Sequence, residues 1–130
     1  MNLLGIAVAG AAGALARYGL SGLAHRWWGA GFPWGTMTVN LIGCLLLGLL
    51  AELTRHTGWL SPELRTAIGI GFLGSFTTFS TFGVETYRAI EQGDWGVAAL
   101  NVLSNVILGL IFVLAGTTLA RFLIQTRGGV

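Results

Sequence analysis

The chain has no lysine; its seven basic residues are all arginine and are scattered along its length. With a net charge of only +2 and no basic run, nucleic-acid binding has no electrostatic footing. Charged residues make up 9%, where a soluble domain usually carries about 25%. Such a chain cannot cover a water-facing surface. Cysteine is nearly absent: Cys44 stands alone in an apolar stretch, which excludes an intrachain disulfide and argues against a metal site. The opening Met1-Asn2-Leu3 has no basic stretch ahead of the apolar run, so a cleaved signal peptide is not expected. The two histidines, His25 and His56, both fall in links. No nucleophile stands beside a base and no pair of acids is evident, so no enzyme is expected.

What is present is grease and glycine. Hydrophobic residues reach 54%, mean hydropathy is +0.76, and there are 21 glycines in 130 residues. The expected fold is an all-α integral membrane protein of one domain, residues 1–130. A bilayer core takes about 20 apolar residues of helix. Four spans meet that need, at about 3–24, 34–53, 62–87 and 95–124. Pro33 suits a helix entrance, and Ser61-Pro62-Glu63 reads as an N-cap, a first-turn proline and a first-turn acid. Trp27, Trp28, Trp34, Trp59 and Trp95 fall near span ends, as an interfacial belt requires. With four spans both termini share one side. That side carries Arg55, Arg65, Arg121 and Arg127 against Arg26 and Arg88, with Arg17 as well if it snorkels, too even a split to set an orientation.

Polar groups inside the spans form stripes. Thr36, Asn40, Cys44 and Gly48 recur every fourth residue in the second span. The fourth span repeats the pattern with Asn101, Asn105 and Gly109, with Ser104 beside them, and the first has Gly5, Ala9 and Gly13. Taken singly, each stripe is better read as helix packing than as a pore lining. Arg17 lies inside the first span, where it either snorkels or sits in an anion-attracting vestibule; Glu85 has the same ambiguity. Gly69-Ile70-Gly71-Phe72-Leu73-Gly74 matches the dinucleotide fingerprint literally, but nothing before it reads as a strand. It is either a close-packing face or the approach to a helix broken in mid-membrane. Ser75, Thr77, Thr78, Ser80 and Thr81 follow at once, interleaved with Phe76, Phe79 and Phe82. Unwound backbone at that depth must be buried or line a wet cavity.

Three stretches together resemble one family. Gly71 to Phe82, Gly-Phe-Leu-Gly-Ser-Phe-Thr-Thr-Phe-Ser-Thr-Phe, is similar to the third-span signature of the Fluc (CrcB) fluoride channels. Pro33 to Gly43 resembles their second-span signature, and Gly10 to Tyr18 their first-span motif with its arginine. The likeness covers nearly the whole chain, with Ser75 standing where many members have glycine. It implies a passive fluoride exporter in the cell inner membrane, working as an antiparallel, dual-topology homodimer with two pores and a third span broken in mid-membrane. By motif position, the pore phenylalanines are Phe79 and Phe82, the pore asparagine is Asn40, and the pore hydroxyls are Ser80 and Thr81. Arg17, Asn101, Ser104 and Asn105 are candidates for the pore or vestibule. The resemblance also implies a structural Na⁺ at the dimer centre, held by the carbonyls of Gly74 and Thr77.

Two other classes compete. A four-helix assembly subunit would use the same residues for packing and conduct nothing. A proton-coupled carrier of the small multidrug class would want a carboxylate in its first span, and this first span has none.

Overall fold

The computed structural model describes residues 3–128, and every regular element among them is helical. Helix α1 (Leu3–Trp28) turns at Gly29, whose φ of 81° places it in the left-handed region, and α2 (Trp34–His56) follows. The third pass is built in pieces: α3 (Pro62–Thr66), a π-helical stretch (Ala67–Leu73), α4 (Gly74–Phe76) and α5 (Phe79–Glu91). The fourth has α6 (Trp95–Leu103), a π-helical turn (Ser104–Leu108) and α7 (Gly109–Gly128). Four passes, Leu3–Trp28, Trp34–His56, Pro62–Glu91 and Trp95–Arg127, are long and apolar enough to cross a membrane.

Local chemistry explains the helix starts. The Ser61 hydroxyl accepts from the Leu64 amide at 3.2 Å, with Pro62 filling the first turn where its missing N–H costs nothing. Asp94 caps α6 by accepting from the Val97 amide at 3.0 Å. Thr78 caps α5 in the same way, by accepting from the Thr81 amide at 3.2 Å.

The core lies around α2, which is flanked by α1, α7 and the third pass. Helices α2 and α7 meet backbone to backbone. A Cβ at Gly48 would overlap the Val113 carbonyl, and one at Gly116 would overlap the Leu45 carbonyl. Such glycine contacts are how helices associate where lipid removes the hydrophobic drive. At the end of that pair Arg121 Nε donates to Glu52 Oε1 at 2.6 Å, and Glu52 is buried. By contrast α1 fully buries only Gly13 and Ala24, although one face of it packs on the third pass, where a Cβ at Gly13 would overlap the Phe72 carbonyl. Leu4, Leu15, Ile70, Leu110 and Leu114 are all exposed, a surface suited to hydrocarbon rather than water.

Candidate functional site

The third pass loses its helical path at two residues. Thr77 (φ −86°, ψ 162°) and Thr78 (φ −151°, ψ 109°) are extended, between the end of α4 and the start of α5. Backbone groups that a continuous helix would pair are therefore released, and each needs a new partner. Asn40, from α2, supplies one. Its Oδ1 accepts from the Thr78 amide at 2.9 Å, and its Nδ2 donates to the Thr78 carbonyl at 3.3 Å. One side-chain amide thus stands in for a lost helical donor and a lost helical acceptor. The Gly74 carbonyl loses its usual donor by the same act, since the Thr78 N–H points to Asn40 instead. The α2 backbone reaches the interruption through Gly43, where a Cβ would overlap the Thr77 methyl.

Asn40 also reaches the fourth pass. Its second N–H donates to Asn105 Oδ1 at 3.0 Å. Both Nδ2 hydrogens are thus engaged, and the bond to Thr78 is the longer. Asn105 Nδ2 in turn donates to the Asn101 carbonyl and to Asn101 Oδ1, each at 2.9 Å. The π-helical turn that begins at Ser104 accompanies this arrangement. Beside these groups the Phe79 and Phe82 rings lie 5.5 Å apart, tilted by 48°. Phe79 is 83% exposed, so its ring is presented outward from the single chain. Asn40, Asn105, Thr77, Thr78, Phe79 and Phe82 all border one cleft of ≈ 370 Å³, apolar apart from these amides and hydroxyls.

A larger, open cavity of ≈ 1100 Å³ lies on another side of the interruption, bordered by Arg17, Arg26, His25, Thr36, Thr81 and Glu85. Arg17 Nη1 is 3.4 Å from the Thr77 carbonyl, a long hydrogen bond that carries positive charge to the broken backbone. Thr36 donates to Glu85 Oε1 at 2.9 Å, while Glu85 Oε2 is buried with no hydrogen-bond partner among the described residues. Thr78 Oγ1 donates to Thr81 Oγ1 at 2.8 Å, which leaves the Thr81 proton to point elsewhere.

The family model described as "CrcB-like protein, Camphor Resistance (CrcB)" matches residues 4–117. The chain belongs to the CrcB family. A relative from Geobacter sulfurreducens, named a fluoride-specific ion channel FluC, is 50% identical over 120 residues, covering 92% of this chain and 97% of that protein. Relatives of the same name from Geobacter metallireducens and Geotalea daltonii are 46% and 45% identical, covering 95% and 91% of this chain and 99% and 95% of those proteins.

Within this CrcB-family chain the candidates do not all gather in one place. Asn40, Asn105, Phe79, Phe82 and Thr77 share the cleft, and Gly74 borders it too. Arg17 and Thr81 face the larger cavity. Ser80 is exposed on the first turn of α5. Ser104 turns back on its own helix, donating to the Leu100 carbonyl at 2.6 Å. Asn101 has no exposed surface at all. Sequence reasoning named Thr78 only among the hydroxyls of its stretch, without a role of its own, and passed over Thr86. Thr78 was legible only as a residue type favoured at a cap, directly ahead of the helix that begins at Phe79. Thr86 had no local signal: its partner Asn101 is fifteen residues away on the next pass.

Proposed function

We propose that this protein is a passive, fluoride-selective channel that exports fluoride across the cell inner membrane, and not an enzyme. The reading draws on the relatives named as fluoride-specific ion channels and on one observation: the two released peptide units sit beside a pair of phenyl rings and an engaged amide. Fluoride is small and strongly hydrated, so a dry passage must replace its shell. Phenyl edges carry partial positive charge and can face an anion without trapping it. Phe79 and Phe82 supply the edges; Asn40, with Ser80 and Thr81, supplies protons. Asn40's bond to the Thr78 carbonyl, at 3.3 Å, is the one an arriving anion displaces. Conduction needs attraction sufficient for entry and weak enough for exit. Arg17 adds a long-range pull for anions in the larger cavity.

A single chain encloses no complete passage: the Phe79 ring faces outward, and α1 leaves Leu4, Val8 and Leu15 exposed. A second copy inserted antiparallel completes two pores, and the near-even arginine distribution suits either orientation. Helical spans, rather than a β-barrel, are the form taken in inner membranes. The interruption at Thr77 and Thr78 then lies at mid-membrane, buried where the copies meet. The freed Gly74 carbonyl and the Thr77 carbonyl suit a hard monovalent cation, Na⁺, shared between the copies. Arg17 near Thr77 limits how much further charge that point accepts. A high-resolution structure of the assembly with no ion between the two interruptions contradicts the Na⁺ assignment.

The test of the ring-edge role is fluoride efflux from liposomes holding purified protein. Phe82→Ile keeps apolar bulk and removes the ring edge, so it impairs efflux, whereas Leu110→Ile, on the exposed apolar surface, does not. Normal efflux from Phe82→Ile removes the rings from the pathway. Absence of efflux from the unaltered protein favours an assembly subunit instead.

A further inference from the structure

One chain of hydrogen bonds crosses from α5 to α2 by way of the fourth pass. Thr86 Oγ1 donates to the Phe82 carbonyl at 2.8 Å. Having spent its proton, that hydroxyl can only accept, and it does so from Asn101 Nδ2 at 2.9 Å. Asn101 Oδ1 is thereby turned towards Asn105, and it accepts from Asn105 Nδ2 at 2.9 Å. Asn105 Oδ1 is turned towards Asn40, and it accepts from Asn40 Nδ2 at 3.0 Å. Asn40 Oδ1 is left to face the Thr78 amide, which can only donate. Both ends of the chain are backbone groups: the Phe82 carbonyl in the first turn of α5, which cannot donate, and the Thr78 N–H at the interruption, which cannot accept. Every amide between them has one orientation that satisfies all its neighbours.

We propose that Asn101 is a positioning residue for Asn40, acting through Asn105 and itself oriented by Thr86. Asn101 has no exposed surface, so it cannot touch an ion in the cleft. Its work is to hold the Asn105 oxygen, and so the Asn40 N–H groups, in one orientation. The second Asn105 bond, to the Asn101 main-chain carbonyl at 2.9 Å, favours the same orientation, since a carbonyl can only accept. The Asn101 side chain adds a second acceptor and so strengthens the preference against the alternative in which the Asn105 and Asn40 N–H groups would face each other. The functional part of this inference rests on the reading that Asn40 lies on the fluoride path; the structural part does not.

The experiment follows the Asn40 side-chain amide by ¹H–¹⁵N NMR in the assembled protein, assigned through its loss in Asn40→Asp, alongside fluoride efflux from liposomes. Asn101→Leu removes the relay with little change of size. It shifts or broadens the Asn40 amide signals and slows efflux by about tenfold, the effect of one buried hydrogen bond left unmade. Thr86→Val produces a smaller change of the same kind, and Thr86→Ser, which keeps the hydroxyl, restores both signals and efflux. Unmoved Asn40 signals in Asn101→Leu overturn the proposal, even where efflux falls. If Asn101→Leu does not assemble, the Thr86→Val and Thr86→Ser pair decides by the same criterion. Shifted signals together with normal efflux from Asn40→Asp keep the relay and remove Asn40 from the fluoride path. Unmoved signals with an inactive Asn40→Asp do the reverse.

Discussion

Replacing Asn40 with Asp keeps the shape of the side chain and removes both of its donors. In the native arrangement those donors face two oxygens, the Thr78 carbonyl at 3.3 Å and Asn105 Oδ1 at 3.0 Å. An ionised carboxylate in their place would set oxygen against oxygen at both points. Asn105 could relieve one clash by rotating its amide, but its oxygen would then meet the Asn101 carbonyl and Oδ1, which both now accept from it. The disturbance therefore cannot be absorbed locally. Each buried polar group left unpaired costs about 1–3 kcal/mol. The new charge adds a repulsion towards fluoride of roughly 4 kcal/mol at about 4 Å and an effective dielectric near 20. Raised wholly on the barrier, that repulsion slows flux by about a thousandfold. If the introduced carboxyl is protonated instead, it regains one donor and the variant loses only part of the activity. The assay is fluoride efflux from liposomes, with size-exclusion chromatography to confirm an assembled protein. Near-normal efflux from a correctly assembled Asn40→Asp protein refutes the reasoning and moves the pathway away from Asn40.

Thr78→Val removes the cap of α5 and the bond to Thr81, and costs about 1 kcal/mol of stability; thermal unfolding in detergent measures it, and an unchanged midpoint contradicts the capping role. Antiparallel assembly predicts that a tag on one terminus is labelled from both faces of the membrane; labelling from a single face in every copy contradicts it.

The four passes were legible because hydropathy and interfacial tryptophans report on the solvent, which is a property of the sequence alone. Ser61 and Pro62 marked a helix start correctly because capping is a local bond between residues three apart. The glycine tract left two readings open for a physical reason: glycine permits both close packing and irregular backbone. In the structure Gly71 packs against Ile6 and Ala9 of α1, while the extended residues come later, at Thr77 and Thr78. The polar stripes identified faces but not partners. Nothing near Asn40 announces that its amide meets the backbone of Thr78, thirty-eight residues away. Asn101 and Asn105 share a stripe, yet one is sealed and the other borders the cleft. A π-helical turn shifts register there, and period-counting assumes a regular helix. The close approaches at Gly48 and Gly116 were hidden for a related reason, since they depend on which two helices meet.

The most direct test of the central claim is anion efflux from liposomes containing the unaltered protein, with fluoride and chloride measured in parallel. The account predicts rapid fluoride release that needs no added energy source, with chloride retained on the same timescale. Release of both anions at similar rates, or of neither, would contradict it.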